Sequence, residues 1–154
     1  AKVKMGCFDM DGTIANLYGV QGWLEMLREE NARPYEVAEP MWNMVELNKV
    51  LEELQNQGVE IRIITWLSMN SSEDYKEKTR QAKLQWLENQ GFPFNKFHGI
   101  AYGTTKANCV RKYLDLNEQA ILIDDNAKIR QGWNWGATID PTTENIIDIL
   151  KALL

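Results

Sequence analysis

The sequence predicts an α/β protein: a doubly wound, mainly parallel sheet with helices on both faces. Three observations carry this. Short apolar runs rich in β-branched residues alternate with longer segments of helical periodicity. One run, Ala120-Ile121-Leu122-Ile123, is apolar throughout, as suits a strand buried on both faces. Polar residues follow four of the runs, where parallel strands would end along one sheet edge. A chain of 154 residues, 44% hydrophobic and 25% charged, suits one domain over residues 1–154 with a sizeable core.

Taken in order, residues 3–8 read as the first strand, ending before Asp9. Residues 14–18 read as a turn or flap, and residues 21–30 as a short helix with Trp23, Leu24 and Leu27 on one side. Asn31 to Pro34 breaks that helix. Pro40 is expected to open the next helix, where Met44, Leu47, Leu51 and Leu54 recur at helical spacing before the stop at Gly58. Residues 60–65 are the second strand. Ser71 with Asp74 fits a capping box for a helix to about Gln90, carrying Tyr75, Ala82, Trp86 and Leu87. A weaker third strand covers 97–102, and Thr104 or Thr105 caps a helix to Leu114. After the strand at 120–123, Asn126 caps a short helix to Trp133, and 137–139 is a brief strand. The final helix is expected from Thr143, burying Ile146, Ile147, Leu150, Leu153 and Leu154.

Net charge is −5, against a general polyanion binder, which wants a basic face. Cys7 and Cys109 give neither a disulfide framework nor zinc spacing, and both are expected as plain buried thiols. No signal peptide or membrane span is visible, so a soluble, reducing, cytoplasmic setting is expected. The lone His98 is expected to be structural.

Chemistry concentrates at the predicted strand ends. Asp9 and Asp11 follow the first strand, two apart, so in extended chain they point the same way. An EF-hand start is excluded, because position 14 is Ile where that loop needs Gly and position 20 is Val where it needs Glu. Thr65 ends the second strand, Lys106 follows the third, and Asp124-Asp125 end the fourth. Lys96 and Lys112 compete with Lys106, which alone both follows a strand and opens a helix. Four carboxylates in one crevice repel, and magnesium is the natural cation to hold them together. With Lys106 and the Thr65 hydroxyl, the set suits a phosphoryl group facing one attacking carboxylate.

This arrangement resembles the haloacid dehalogenase superfamily of aspartate-based phosphotransferases. The resemblance rests on Phe8-Asp9-Met10-Asp11-Gly12-Thr13, Ile63-Ile64-Thr65, Lys106 and Ile121-Leu122-Ile123-Asp124-Asp125, in family order. It implies a Rossmann-like fold of that superfamily and a Mg²⁺ cofactor. Asp9 becomes the nucleophile, Asp11 the general acid and base, and Asp9, the Asp11 backbone carbonyl and Asp124 the metal ligands. Thr65 binds phosphoryl oxygens, Lys106 balances charge, and Asp125, Gly12 and Thr13 support the site. An acid at position 11, absent from the dehalogenases proper, implies a phosphatase.

Residues 18–39 are expected as a small helical insertion or minimal cap, making the chain nearly capless. Trp66, beside Thr65, is expected at the rim, either stacking a base or packing on the flap or insertion. The stretch after the first motif and the Asp124-Asp125-Asn126 ending are similar to the small deoxyribonucleotidase-like branch, which implies a nucleotide substrate. The alternative is a macromolecular phosphate, on a nucleic-acid end or a phosphoprotein. A non-catalytic phospho-acceptor such as a two-component receiver is disfavoured, because its acids, Thr and Lys follow another order.

Overall fold

The computed structural model describes residues 2–154. Its main sheet has five strands, all parallel, in the spatial order β5-β4-β1-β6-β7. These are β1 (Lys2–Phe8), β4 (Glu60–Leu67), β5 (Lys96–Ala101), β6 (Glu118–Ile123) and β7 (Thr138–Ile139). Two-residue strands β2 (Ala15–Asn16) and β3 (Glu39–Pro40) pair antiparallel outside it. From β1 the chain builds outward first on one side, then returns to build on the other. The C-terminal end of β1 is therefore the switch point where an α/β sheet opens a crevice.

Strand alternation assigns the core to two layers. Phe8, Ile61, Ile63, Ile121 and Ile123 pack on one face, against α3 (Met44–Asn56), α4 (Glu73–Asn89) and α7 (Ile146–Lys151). Met5, Cys7, Ile64, Ala120 and Leu122 face the other way, against α5 (Lys106–Val110) and Trp133, which follows α6 (Ala127–Gln131). Leu47, Leu51 and Leu54 of α3 are essentially fully buried. Each contributes about 1.5–3 kcal/mol of hydrophobic stabilisation.

Several boundaries differ from the sequence reading, for local reasons. Pro40 lies in β3 and does not open α3; Asn43 does, its side chain accepting from the Glu46 amide. Ser72, not Ser71, caps α4 through the Tyr75 amide. β4 runs two residues past Thr65, because Trp66 and Leu67 pair with Ile100 and Ala101 of β5. The helix from Lys106 tightens into a 3-10 turn at Arg111–Tyr113. Asn145 caps α7, and Leu153 and Leu154 lie past its end, exposed. Cys109 is only partly buried, whereas Cys7 is fully enclosed.

Between β2 and β3 lie a 3-10 turn (Leu17–Gly19), α1 (Trp23–Arg28) and α2 (Arg33–Val37). The second helix was not anticipated; Pro34 sits in its first turn, where a missing N–H costs nothing. Ala32 and Tyr35 pack on Tyr75 and Ala82 of α4. No residue of α1 is fully buried: its apolar side, Trp23, Leu24 and Leu27, faces a pocket over the sheet edge. Among the described residues, no helix is long and apolar enough to cross a membrane.

Candidate active site

Parallel pairing assembles the site. Phe8 is in register with Ile63 of β4 and Ile123 of β6, so the residues just beyond these strands converge. The Asp9 amide donates to the Ile123 carbonyl at 3.0 Å, which sets Asp9 beside Asp124. The chain then turns tightly, with the Thr13, Ile14 and Ala15 amides all donating to the Met10 carbonyl. Gly12 has φ +79, and a Cβ there would run into the Asp125 carboxylate. Glycine is thus required both by the turn and by the close approach of Asp125.

The expected residues meet at the floor of a pocket of about 660 Å³ lined by Asp9, Asp11, Thr65, Trp66, Lys106, Asp124 and Asp125. Asp9 is nearly buried and held from two sides. Lys106 Nζ donates to its Oδ1 at 3.0 Å and Thr13 Oγ1 to its Oδ2 at 3.0 Å. Lys106 also donates to Asp124 Oδ2 at 2.8 Å. Asp124 is fully buried, and its Oδ1 accepts from the Asn126 amide at 2.9 Å. The Thr13 hydroxyl, donating to Asp9, accepts from the Asp125 amide at 3.2 Å and so ties the first motif to the last. Lys96 and Lys112 lie elsewhere, by the Tyr113 ring. His98 is bound to Arg62 at 3.0 Å and does not line the pocket.

Asp9, Asp124 and Asp125 bring carboxylate oxygens within 4.8 Å of one another. The Asp11 side chain stands outside this cluster, so Asp125 offers the third carboxylate. Burial pushes the Asp124 carboxyl up, Asp9 adds to the shift, and Lys106 opposes it. Asp125 is pushed up to about 8, by burial first and then by its hydrogen bond and repulsion with Asp9. Burial works to lower Lys106, but Asp9 and Asp124 outweigh it and its proton is held more tightly than usual.

Asp11 has a different partner, absent from the sequence reading. Lys83 of α4, wholly buried, donates to Asp11 Oδ2 at 3.0 Å, Thr65 Oγ1 at 2.7 Å and the Trp66 carbonyl at 3.1 Å. The signal was present: Lys83 falls on the stripe formed by Tyr75, Thr79, Ala82, Trp86 and Leu87, the buried face of α4. A lysine there must have an acid or several carbonyls to meet. Burial pushes the Asp11 carboxyl up; Lys83 pulls it down, and Asp9 pushes it up.

Aromatic side chains make much of the remaining wall. Tyr18 and Trp23 pack edge to face at 4.9 Å, and Tyr35 and Tyr75 lie deeper. Trp66 is half-buried at the rim, packed on Tyr102 at 4.8 Å with its N–H donated to the Thr104 carbonyl. It therefore rests on the loop after β5.

No protein-family model matches the chain, and no curated protein matches it either. Solved structures do. A haloacid dehalogenase-like family hydrolase from Streptococcus pneumoniae aligns with a TM-score of 0.59 at 16% identity, covering 99% of both chains. A chain of the Pnkp1/Rnl/Hen1 complex aligns with a TM-score of 0.57 at 13% identity. That match takes in 91% of this chain but 46% of the other, so this chain spans under half of its length. The architecture, a parallel sheet wrapped by helices with acids at one edge, is the haloacid dehalogenase-like α/β fold.

Proposed function

We propose that the protein is a magnesium-dependent phosphomonoester hydrolase acting through an aspartyl-phosphate on Asp9, with a nucleotide as substrate. One observation carries this reading: the two acids of the first motif line one pocket yet are held by two different lysines. That gives one carboxylate a nucleophile's setting and the other an acid's.

The donor set fits a hard divalent cation. Three carboxylates face a single ammonium, Lys106, among the described residues, and all their donor atoms are oxygens. Asp9, Asp124 and Asp125 would hold the ion, with the Asp11 backbone carbonyl as the resemblance implies. When bound, magnesium supplies Lewis-acid polarisation of the phosphoryl oxygens and screens their charge.

The chain's own residues then divide the work. An Asp9 carboxylate oxygen attacks phosphorus, and the bond from phosphorus to the leaving oxygen breaks. Asp11, whose raised proton affinity favours the acid form, passes its proton to that oxygen. In the second half, Asp11 takes a proton from water as the water oxygen attacks phosphorus. The acyl-phosphate bond breaks, freeing Asp9 and inorganic phosphate. Thr65 accepts from Lys83, so its own hydroxyl proton is left for a phosphoryl oxygen. Lys106 offsets the charge that Asp9 and the phosphoryl group bring together.

Two features favour a nucleotide. The walls are aromatic, which suits stacking on a base. Lys106 is the one cationic side chain lining the pocket among the described residues, so a second phosphate has no counter-charge. A polynucleotide end is the second reading, favoured by the exposed rim aromatics Tyr18 and Tyr102, on which a further base can stack. Phosphate release from a panel of monoesters, with magnesium and with chelator, tests the reading. Nucleoside monophosphates should outpace a phosphorylated oligonucleotide end. Faster release from the oligonucleotide would favour the second reading, and no metal-dependent release from any ester would refute both.

A further inference from the structure

We infer that Lys83 is a positioning residue for Asp11, holding its carboxylate apart from the acid cluster so that it faces the pocket as acid and base. The inference rests on the phosphatase reading above. Its starting point is a fully buried ammonium on α4, seventy-two residues along the chain from the group it binds. A buried ammonium is costly unless each N–H finds an acceptor. Here all three do, in Asp11, Thr65 and the Trp66 carbonyl. Two of those acceptors belong to β4, so the lysine is pinned to the sheet before it reaches Asp11. Tyr35 of α2 covers it from above, with its ring centre 4.9 Å from Nζ.

The other site carboxylates show why this matters. Asp9 is fixed by both Lys106 and Thr13, and Asp124 by Lys106 and the Asn126 amide. Among the described residues, Lys83 is the only donor that reaches the Asp11 carboxylate. Without it, Asp11 keeps its chemistry but loses its orientation. A displacement of about 1 Å at a reacting group costs roughly 10²-fold in rate.

The test uses Lys83→Met, which keeps an unbranched side chain one atom shorter and removes the charge. Two esters are compared in the full chain with magnesium: an alkyl phosphate, whose leaving oxygen needs a proton, and p-nitrophenyl phosphate, whose leaving group does not. Lys83→Met should lower kcat for phosphoenzyme formation roughly 10²-fold on the alkyl ester and far less on the nitrophenyl ester. In an Asp11→Asn background the same change should add only the smaller loss that comes through Thr65, alike on both esters. Equal losses on both esters, or a full further loss in that background, would overturn the inference and leave the phosphatase reading standing. If Lys83→Met alone does not fold, Lys83→Met with Asp11→Asn removes both charges together and carries the test. Its activity should lie close to that of Asp11→Asn, lower only by the smaller loss through Thr65, and a loss of roughly 10²-fold below it would again overturn the inference. No metal-dependent phosphate release by the wild type would overturn the phosphatase reading, and this inference with it.

Discussion

Asp9 and Asp11 are two residues apart, yet they sit in electrostatically different halves of one pocket. Asp9 shares Lys106 with Asp124 and lies beside Asp125, so three carboxylates face one ammonium. Asp11 has Lys83 to itself, with one acid against one cation. The first half has excess negative charge and calls for a further cation. The second is already balanced and needs none. Under the proposed function, this contrast would put metal and nucleophile in the first half and proton transfer in the second.

The largest expected effect breaks the first half. Asp9→Asn removes the proposed nucleophile, so turnover should vanish on every ester and no phosphoryl-enzyme should form. Substrate should still bind, and more tightly, because a charge facing the phosphate is gone. Acid quench with radiolabelled substrate checks this; a trapped phosphoprotein from the variant would place the nucleophile elsewhere.

Breaking the second half should have a smaller and more selective effect. Asp11→Asn keeps the proposed nucleophile but loses the proposed acid–base help, worth roughly 10²–10⁴-fold. With an alkyl ester, formation of the intermediate should collapse. With p-nitrophenyl phosphate, formation should survive and hydrolysis should become limiting, giving a burst of p-nitrophenol followed by slow turnover. Identical losses on both esters with no burst would mean that the two halves do not divide the chemistry this way.

The charge imbalance itself predicts a pH dependence. Without metal, Asp125 in the folded protein is pushed up to about 8, against about 4 for an unfolded aspartate. Between these values the folded state holds more protons than the unfolded one, so stability falls as pH rises. Asp124 and Asp11, also pushed up, act with the same sign. If Asp125 is a ligand as proposed, magnesium would displace its proton, so magnesium affinity should climb with pH and level off above about 8. Thermal melts in chelator and titration calorimetry at several pH values measure both trends. A metal-free melting temperature that rises across this window would contradict the imbalance.

The smallest effect concerns the rim that both halves share. Trp66→Ala should raise KM for a nucleotide more than it lowers kcat, as expected for ground-state stacking alone. Unchanged KM with a lower melting temperature would instead assign Trp66 to packing on Tyr102 and the Thr104 carbonyl.

The strands were legible because their signals are local. Runs rich in isoleucine, such as Ile61 to Ile64 and Ala120 to Ile123, declare themselves within a few residues. The insertion was less legible. The sequence puts Trp23, Leu24 and Leu27 on one side of α1 without showing what covers them; Leu24 is exposed at 42%, and all three line the pocket. Periodicity marks which side of a helix avoids water, not whether core or pocket covers it. Leu153 and Leu154 misled for a similar reason, since they continue the apolar pattern past the end of α7.

By itself, the sequence determined the five strands of the main sheet and the helices between them, in order, though not α2 or the β2–β3 pair, and which polar residues stand at the strand ends. Asp9, Asp11, Thr65, Lys106, Asp124 and Asp125 were all placed that way, and the parallel sheet brings them to one pocket. Only the tertiary structure decided how the charges pair. Lys106 meets Asp9 across ninety-seven residues, and Lys83 meets Asp11 across seventy-two. Local spacing says which face of an element is buried. Which buried acid a buried lysine finds depends on strand register, helix placement and the cost of leaving either charge unpaired, and these exist only once the chain has closed on itself.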